Sequence, residues 1–193
     1  MSIQTGLNAP VYDLYKVYGP APGVSIGYHS FKTEQLSFDV QLGHVSFSPK
    51  GDVLSYTRRA TTGVLQRTIV SGFYSNYQVT RLTAGANLWA GKAENAVKLY
   101  FGIALGLAYV NYDVETVDSV ETLSDDQDLI QGIISPRFGL SYRLSPTVKL
   151  TSELRYSEIV DFGESAPNVI VGAPDVSDGS FVSVDLGVVY SLK

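Results

Sequence analysis

Between Val97 and Tyr109 every odd position is large and apolar: Val97, Leu99, Phe101, Ile103, Leu105, Leu107 and Tyr109. Between them lie Lys98, Tyr100, Gly102, Ala104, Gly106 and Ala108. A strand points successive side chains to opposite faces, so this segment carries one greasy face and one mostly small face. A helix would spread the same large residues around its circumference, so the period of two excludes it.

The period recurs along the chain. Val182, Val184, Leu186, Val188, Tyr190 and Leu192 alternate with Ser183, Asp185, Gly187, Val189 and Ser191. Phe138, Leu140, Tyr142 and Leu144 alternate with Arg137, Gly139, Ser141 and Arg143. Val148, Leu150, Ser152, Leu154 and Tyr156 oppose Lys149, Thr151, Glu153, Arg155 and Ser157. Shorter versions run over Leu82–Leu88, Leu36–Leu42 and Val24–Tyr28.

A soluble sandwich or a lipocalin-like ligand-binding barrel also alternates, with its greasy face turned inward. Two features favour the inverted arrangement. The apolar faces are long enough for the roughly 9–11 residues a tilted strand needs to cross a bilayer. The opposite face is Gly, Ala, Ser and Thr with scattered charges, which suits a cramped lumen rather than a solvent face. Connections alternate too. Residues 32–35, 91–96 and 145–147 are short, whereas the stretches from about 48, from Asp113 to Asp128 and from Asp161 to Ser180 are long. Membrane barrels have short periplasmic turns and longer extracellular loops.

The reading is an all-β chain: one closed antiparallel transmembrane β-barrel over residues 1–193, with about eight strands. Seven strands follow Gly23, so an eighth falls earlier. Gly19-Pro20-Ala21-Pro22-Gly23 reads as a turn, and Val11 to Tyr18 is the candidate strand, although its alternation is poor. Residues 1–21 are therefore a first strand or an N-terminal extension. Residues 67–91 read as one long strand that could form a hairpin with 53–59 above the membrane.

Composition agrees. The chain is 45% hydrophobic and 17% charged, against roughly 25% charged in a soluble domain. It has no cysteine, which excludes disulfides and thiolate metal sites. A net charge of −5 argues against nucleic-acid binding, which needs a basic surface. No apolar run approaches the roughly 20 residues of a membrane-spanning helix. Met1 leads into Ser2-Ile3-Gln4-Thr5 without the charged and apolar regions of a signal peptide, so an exported chain would be a mature form.

The C-terminus, Gly187-Val188-Val189-Tyr190-Ser191-Leu192, resembles the assembly signal of bacterial outer-membrane barrels: a Gly, an aromatic and a terminal bulky residue at fixed spacing. It departs from that pattern in Leu192, where Phe is commonest, and in the trailing Lys193. Arg81 to Leu88, Tyr100 to Tyr109 and Pro136 to Leu144 are similar to the small OmpA/OmpX-like superfamily as well. The resemblance covers residues 80–193 well and the first third weakly. It implies outer-membrane localisation, assembly by the barrel-insertion machinery through Gly187, Tyr190 and Leu192, and contact with lipid and lipopolysaccharide. It implies no one function, because members serve as adhesins, anchors, complex subunits and, rarely, enzymes.

Charged residues on polar faces define the candidate site: Asp39, Arg81, Lys98, Arg137, Arg143, Glu153, Arg155 and Asp185. In a lumen these must pair, because an unpaired buried charge costs several kcal/mol. His44-Val45-Ser46 is compared with the His-x-Ser pair of lipid A deacylases, but Phe47 stands where that motif continues with Asn, and the pair comes early. No catalytic residue is assigned. The segment with Asp113, Glu115, Asp118, Glu121, Asp125, Asp126 and Asp128 lacks EF-hand spacing and reads as a solvated loop, so no metal or cofactor is expected. Tyr74, Tyr77, Trp89, Tyr109, Tyr112, Tyr142, Tyr156 and Tyr190 suit interfacial girdles. The expected function is a structural or interaction barrel that displays loops or docks with other outer-membrane proteins. The alternatives are a narrow channel, a lipid hydrolase and a soluble ligand-binding barrel.

Overall fold

The fold is seen in a computed structural model that describes residues 1–51, 54–57, 69–91, 95–117, 122–160 and 179–191. Ten strands and one short helix appear among them: β1 (Ser2–Val11), α1 (Tyr12–Val17), β2 (Ala21–Phe31), β3 (Leu36–Phe47), β4 (Leu54–Thr57), β5 (Ile69–Tyr74), β6 (Tyr77–Ala90), β7 (Val97–Val117), β8 (Thr122–Arg143), β9 (Val148–Val160) and β10 (Ser180–Tyr190). Eight of them close a ring in the order β1-β2-β3-β6-β7-β8-β9-β10, and β10 pairs back onto β1. Every pairing is antiparallel. Closure leaves no sheet edge in the ring, the condition for placing strands in lipid.

The side chains are inverted relative to a soluble protein. Phe101 is 60% exposed and Leu105 56%, while Tyr100 is 5% and Ala104 1%. The same outward apolar face continues through Ile3 and Leu7, Val24 and Ile26, Phe38 and Val40, Leu150 and Leu154, and Val184 and Leu186. Monomeric soluble proteins rarely expose apolar patches beyond a few hundred Å². A belt around the whole barrel is stable only against hydrocarbon. Val97 to Tyr109, at about 3.3 Å rise per residue and a tilt near 45°, spans roughly 30 Å, the thickness of a bilayer core. Among the described residues no helix is long and apolar enough to cross a membrane.

One end carries both termini and the short connections. The Met1 ammonium donates to Tyr190 O at 2.7 Å, Ser191 N donates to Thr147 O at 2.8 Å, and Arg143 N donates to Ala96 O at 2.8 Å. Gly91 turns the chain there at φ 99°, where a side chain would be strained. This is the periplasmic end, and the long connections leave the other.

Three expectations are corrected. The first strand is Ser2–Val11, not Val11–Tyr18. Its inward Ser2, Gln4, Gly6 and Asn8 suit the lumen, but Thr5 and Ala9 interrupt its outer apolar face. Residues 12–17 are helical, and the chain enters them through Tyr12 at φ 52°. Ala21, Pro22 and Gly23 are not a turn but the start of β2, paired with Asn8, Leu7 and Gly6. Residues 113–117 and 122–128 of the acidic segment are strand rather than open loop. β7 and β8 stay in register from Asn111↔Asp128 to Val117↔Thr122, because an antiparallel ladder already aligned in the barrel extends without a new nucleation cost. β5 pairs with the top of β7 and β4 with β5, so a four-stranded sheet stands beyond the rim. The expected hairpin of 53–59 with 67–91 is present as β4 with β5, and Ser75-Asn76 separates β5 from β6.

Candidate functional site

The interior divides into three zones along the barrel axis. Its middle is polar. Among the described residues the buried charges are Arg81, Arg137 and Arg155 against Asp39, Glu153 and Asp185, three of each sign. Arg137 reaches from β8 to β3, where Nη1 donates to Asp39 Oδ2 at 3.0 Å and Nη2 bonds Oδ1. Asn87 Nδ2 donates to the same Oδ1 at 2.9 Å. Arg155 Nε donates to Glu153 Oε1 at 2.9 Å, Nη2 bonds that oxygen, and Nη2 also donates to Gln41 Oε1 at 2.6 Å. Tyr100 Oη donates to Glu153 Oε2 at 2.6 Å. Asp185 lies directly across the ladder from Glu153, and the Arg81 guanidinium sits 5.4 Å from the Phe181 ring centroid. Charges this deep need partners because the low-dielectric interior gives them no water shell.

Glycines make the room. A Cβ on Gly139 would run into the Tyr100 ring, and one on Gly85 into the Arg137 guanidinium. The large lumen side chains therefore sit over strands that carry none at that level.

The extracellular end is apolar inside. Leu14, Val17 and Tyr18 of the helical segment pack with Val45, Phe47, Tyr77, Val79, Val110, Ile133 and Phe181. Ring centroids lie 5.4 Å apart for Tyr18 and Tyr77, 5.6 Å for Phe47 and Phe181, and 5.3 Å for Tyr77 and Tyr112. Backbone bonds fasten this plug to the segment after β3: Gly19 N to Ser48 O at 3.0 Å and Lys50 N to Val17 O at 2.8 Å. Burial pushes the Tyr18 phenol well above its ordinary value, so it stays neutral. The sequence held two signals for this plug. Leu14, Val17 and Tyr18 fall at helical spacing, and Val45, Phe47, Val79 and Phe181 are bulky residues at inward positions.

The periplasmic mouth differs. Lys98 and Lys149 are half-buried and Arg143 is exposed, and all three line an open cavity of about 370 Å³. Lys98 and Arg143 therefore lie outside the closed interior where the charge network was expected. An inward side chain at the end of a strand meets bulk water.

The remaining expected positions are also placed. Gly187 faces inward against Gln4, Tyr190 is exposed at the periplasmic rim, and Leu192 lies outside the described residues. The expected aromatic girdle divides. Tyr109, Tyr142 and Tyr190 face outward, Tyr74, Tyr77 and Tyr112 are buried in the plug, and Trp89 lines the mouth. His44 also faces outward, with Nδ1 2.9 Å from Thr80 Oγ1 on the neighbouring strand. Above the apolar belt, Tyr109 Oη and Asn111 Nδ2 donate to Asp128 Oδ1 at 2.6 and 2.8 Å. These bonds, that from Tyr109 first, hold the Asp128 carboxyl below its ordinary range. Of the three expected long loops, most of 49–66 and 161–178 lies outside the described residues.

No protein-family model and no curated protein matches the chain. Solved structures do. Neisserial surface protein A (NspA) aligns over 99% of this chain and 95% of its own, with a TM-score of 0.56 and 15% identity. Ail, the attachment invasion locus protein of Yersinia pestis, covers 98% and 95%, with a TM-score of 0.52 and 14% identity. The outer membrane enzyme PagL aligns over 100% of both chains at a TM-score of 0.49 and 10% identity. At such identities the likeness is one of fold.

Proposed function

We propose that this chain, whose fold is that of the small eight-stranded outer-membrane β-barrels, is a non-enzymatic interaction protein: the barrel anchors it in the bacterial outer membrane, and the sheet beyond the rim meets a partner. The carrying observation is the filled interior. The aromatic plug covers the extracellular end, and paired arginines and carboxylates cross the middle. An eight-stranded barrel has an interior just wide enough for side chains, so a conducting path has no room. What extends into the extracellular space is the sheet of β4, β5 and the upper halves of β7 and β8, carried on a rigid scaffold. The names of Ail, an attachment and invasion protein, and of NspA, a surface protein, are in keeping with display. Lipopolysaccharide surrounds the belt, and the insertion machinery reads the C-terminal strand.

Two measurements test this reading. In planar bilayers the intact protein should give no steady single-channel current. Excision of 116–126 and 164–178 should leave a folded, heat-modifiable barrel that no longer retains the outer-membrane proteins co-purifying with the intact chain in mild detergent. Steady currents, or full retention after both excisions, would reject it.

A further inference from the structure

Pro136 of β8 stands at the middle of the apolar belt, opposite Ile103 of β7. It lies between Ile134 and Phe138 at strand spacing and shares their exposed, lipid-facing side. Proline has no N–H to give a ladder, so within sheets it is confined to edges, strand starts and bulges. Pro136 sits instead inside a strand that has neighbours on both sides. On the β7 side the ladder is continuous from Val97↔Tyr142 to Val117↔Thr122. On the β9 side it is interrupted. Pairing runs from Gly132↔Val160 to Ile134↔Glu158, then resumes at Arg137↔Arg155 in the same register. The register is kept, so no bulge takes up the proline. Ser135 opposite Ser157, and Pro136 opposite Tyr156, are left out of the ladder. These are the pairs that a bond from a residue-136 N–H to the Tyr156 carbonyl would close.

Two further features weaken the same place. The Tyr156 carbonyl loses its ladder donor at a depth where lipid offers no replacement, and backbone groups in hydrocarbon have to be satisfied within the protein. Arg137 and Arg155, where the ladder resumes, set like charges directly opposite each other. That arrangement disfavours strand pairing, although each arginine has its own carboxylate, Asp39 and Glu153. Against these stands a hydroxyl contact on the lumen side, Ser135 Oγ 3.1 Å from Ser157 Oγ. The next ladder, β9 with β10, is unbroken from Ser180↔Glu158 to Tyr190↔Val148. The weakness therefore belongs to one seam of the wall.

We propose that β8 and β9 separate transiently beside Pro136, inside the membrane, while the rest of the ring stays closed. Opening frees the β9 backbone around Tyr156 from β8 and leaves β9 attached to β10. The barrel wall thus has one built-in point of lateral opening, set by a residue that cannot complete its ladder.

Amide hydrogen exchange of the full chain in phosphatidylcholine nanodiscs, read by NMR, tests this. By the alternation of antiparallel ladders, the amides of Tyr156, Glu158 and Phe138 bond across the seam. Those of Gly102 and Ala104 bond β8 from the β7 side at the same depth. The three seam amides keep their own acceptors, so a missing bond at Pro136 does not by itself expose them, whereas strand separation does. They should exchange at least about fivefold faster than Gly102 and Ala104. P136V supplies the N–H on an apolar, strand-favouring residue. It should slow the seam amides by about fivefold or more and leave Gly102 and Ala104 within about twofold. Heat-modifiability on gels shows that the variant is folded. Should P136V not fold, the comparison of the two sets of amides within the unaltered chain decides. Equal exchange of the two sets in the unaltered chain, or no slowing of the seam amides in folded P136V, overturns the proposal.

Discussion

Replacing Glu153 by Ala tests how dry the lumen is. Glu153 is 2% exposed and its partner Arg155 1%. The substitution removes one carboxylate that accepts from Arg155 Nε at 2.9 Å and from Tyr100 Oη at 2.6 Å. Arg155 then keeps Gln41 Oε1 at 2.6 Å as its neutral acceptor. Breaking a buried ion pair from one side costs roughly 3–5 kcal/mol, because the remaining charge stays desolvated. The stranded Tyr100 hydroxyl pulls toward the upper end of that range, and Asp185, across the ladder from position 153, pulls toward the lower by standing near Arg155. We expect a loss of about 4 kcal/mol. Urea unfolding from phospholipid vesicles measures it, with Trp89 emission and gel mobility as paired probes. Glu153→Gln should lose less, since it keeps an acceptor for Tyr100. The double change Glu153→Met with Arg155→Met should recover most of the loss, because it removes both desolvation costs. A loss below about 1 kcal/mol for Glu153→Ala would show that water solvates the pair, and the account of the middle zone would fail.

Two further outcomes are expected. Ile103→Arg places a charge at the centre of the apolar belt and should destabilise the barrel in phospholipid by roughly 2–4 kcal/mol, whereas the same change at Val97 should cost about 0–1 kcal/mol; equal costs at both positions would contradict the assigned depth. The Asp128 carboxyl should titrate below its ordinary value of 3.8 by carbon-detected NMR. Its pKa is depressed in the folded hairpin, so its contribution is complete above the unfolded pKa and is lost as pH falls through the folded one. Tyr109→Phe should move the midpoint back up, and an unchanged midpoint would rule out the Tyr109 bond as the main cause.

Much of the barrel was legible because its signal is local. Alternation between Val97 and Tyr109, and again over Val182 to Leu192, is a property of neighbours in the chain, and it fixes which face meets lipid whatever the strands pair with. β1 was missed for a local reason too: Thr5 and Ala9 dilute its outer face, while Val11 to Tyr18 holds enough large residues to draw the assignment away. The acidic stretch from 113 to 128 misled because Asp and Glu disfavour strands in isolation. In the barrel the ladder of β7 and β8 is already in register and carries past them.

Which charges would sit inside could be read from parity along the strands. Which would meet could not. Asp39 and Arg137 are 98 residues apart, and only closure of the ring brings their strands to face each other across the lumen. Closure also decides depth. Arg155 and Arg143 have the same parity, yet one lies in the dry middle and the other at a wet mouth, because strand tilt and register set the level at which each projects. The sequence alone determined the faces of this barrel. Its tertiary structure decided the partners, the plug and the cationic mouth, because those depend on distances between strands that no local period encodes.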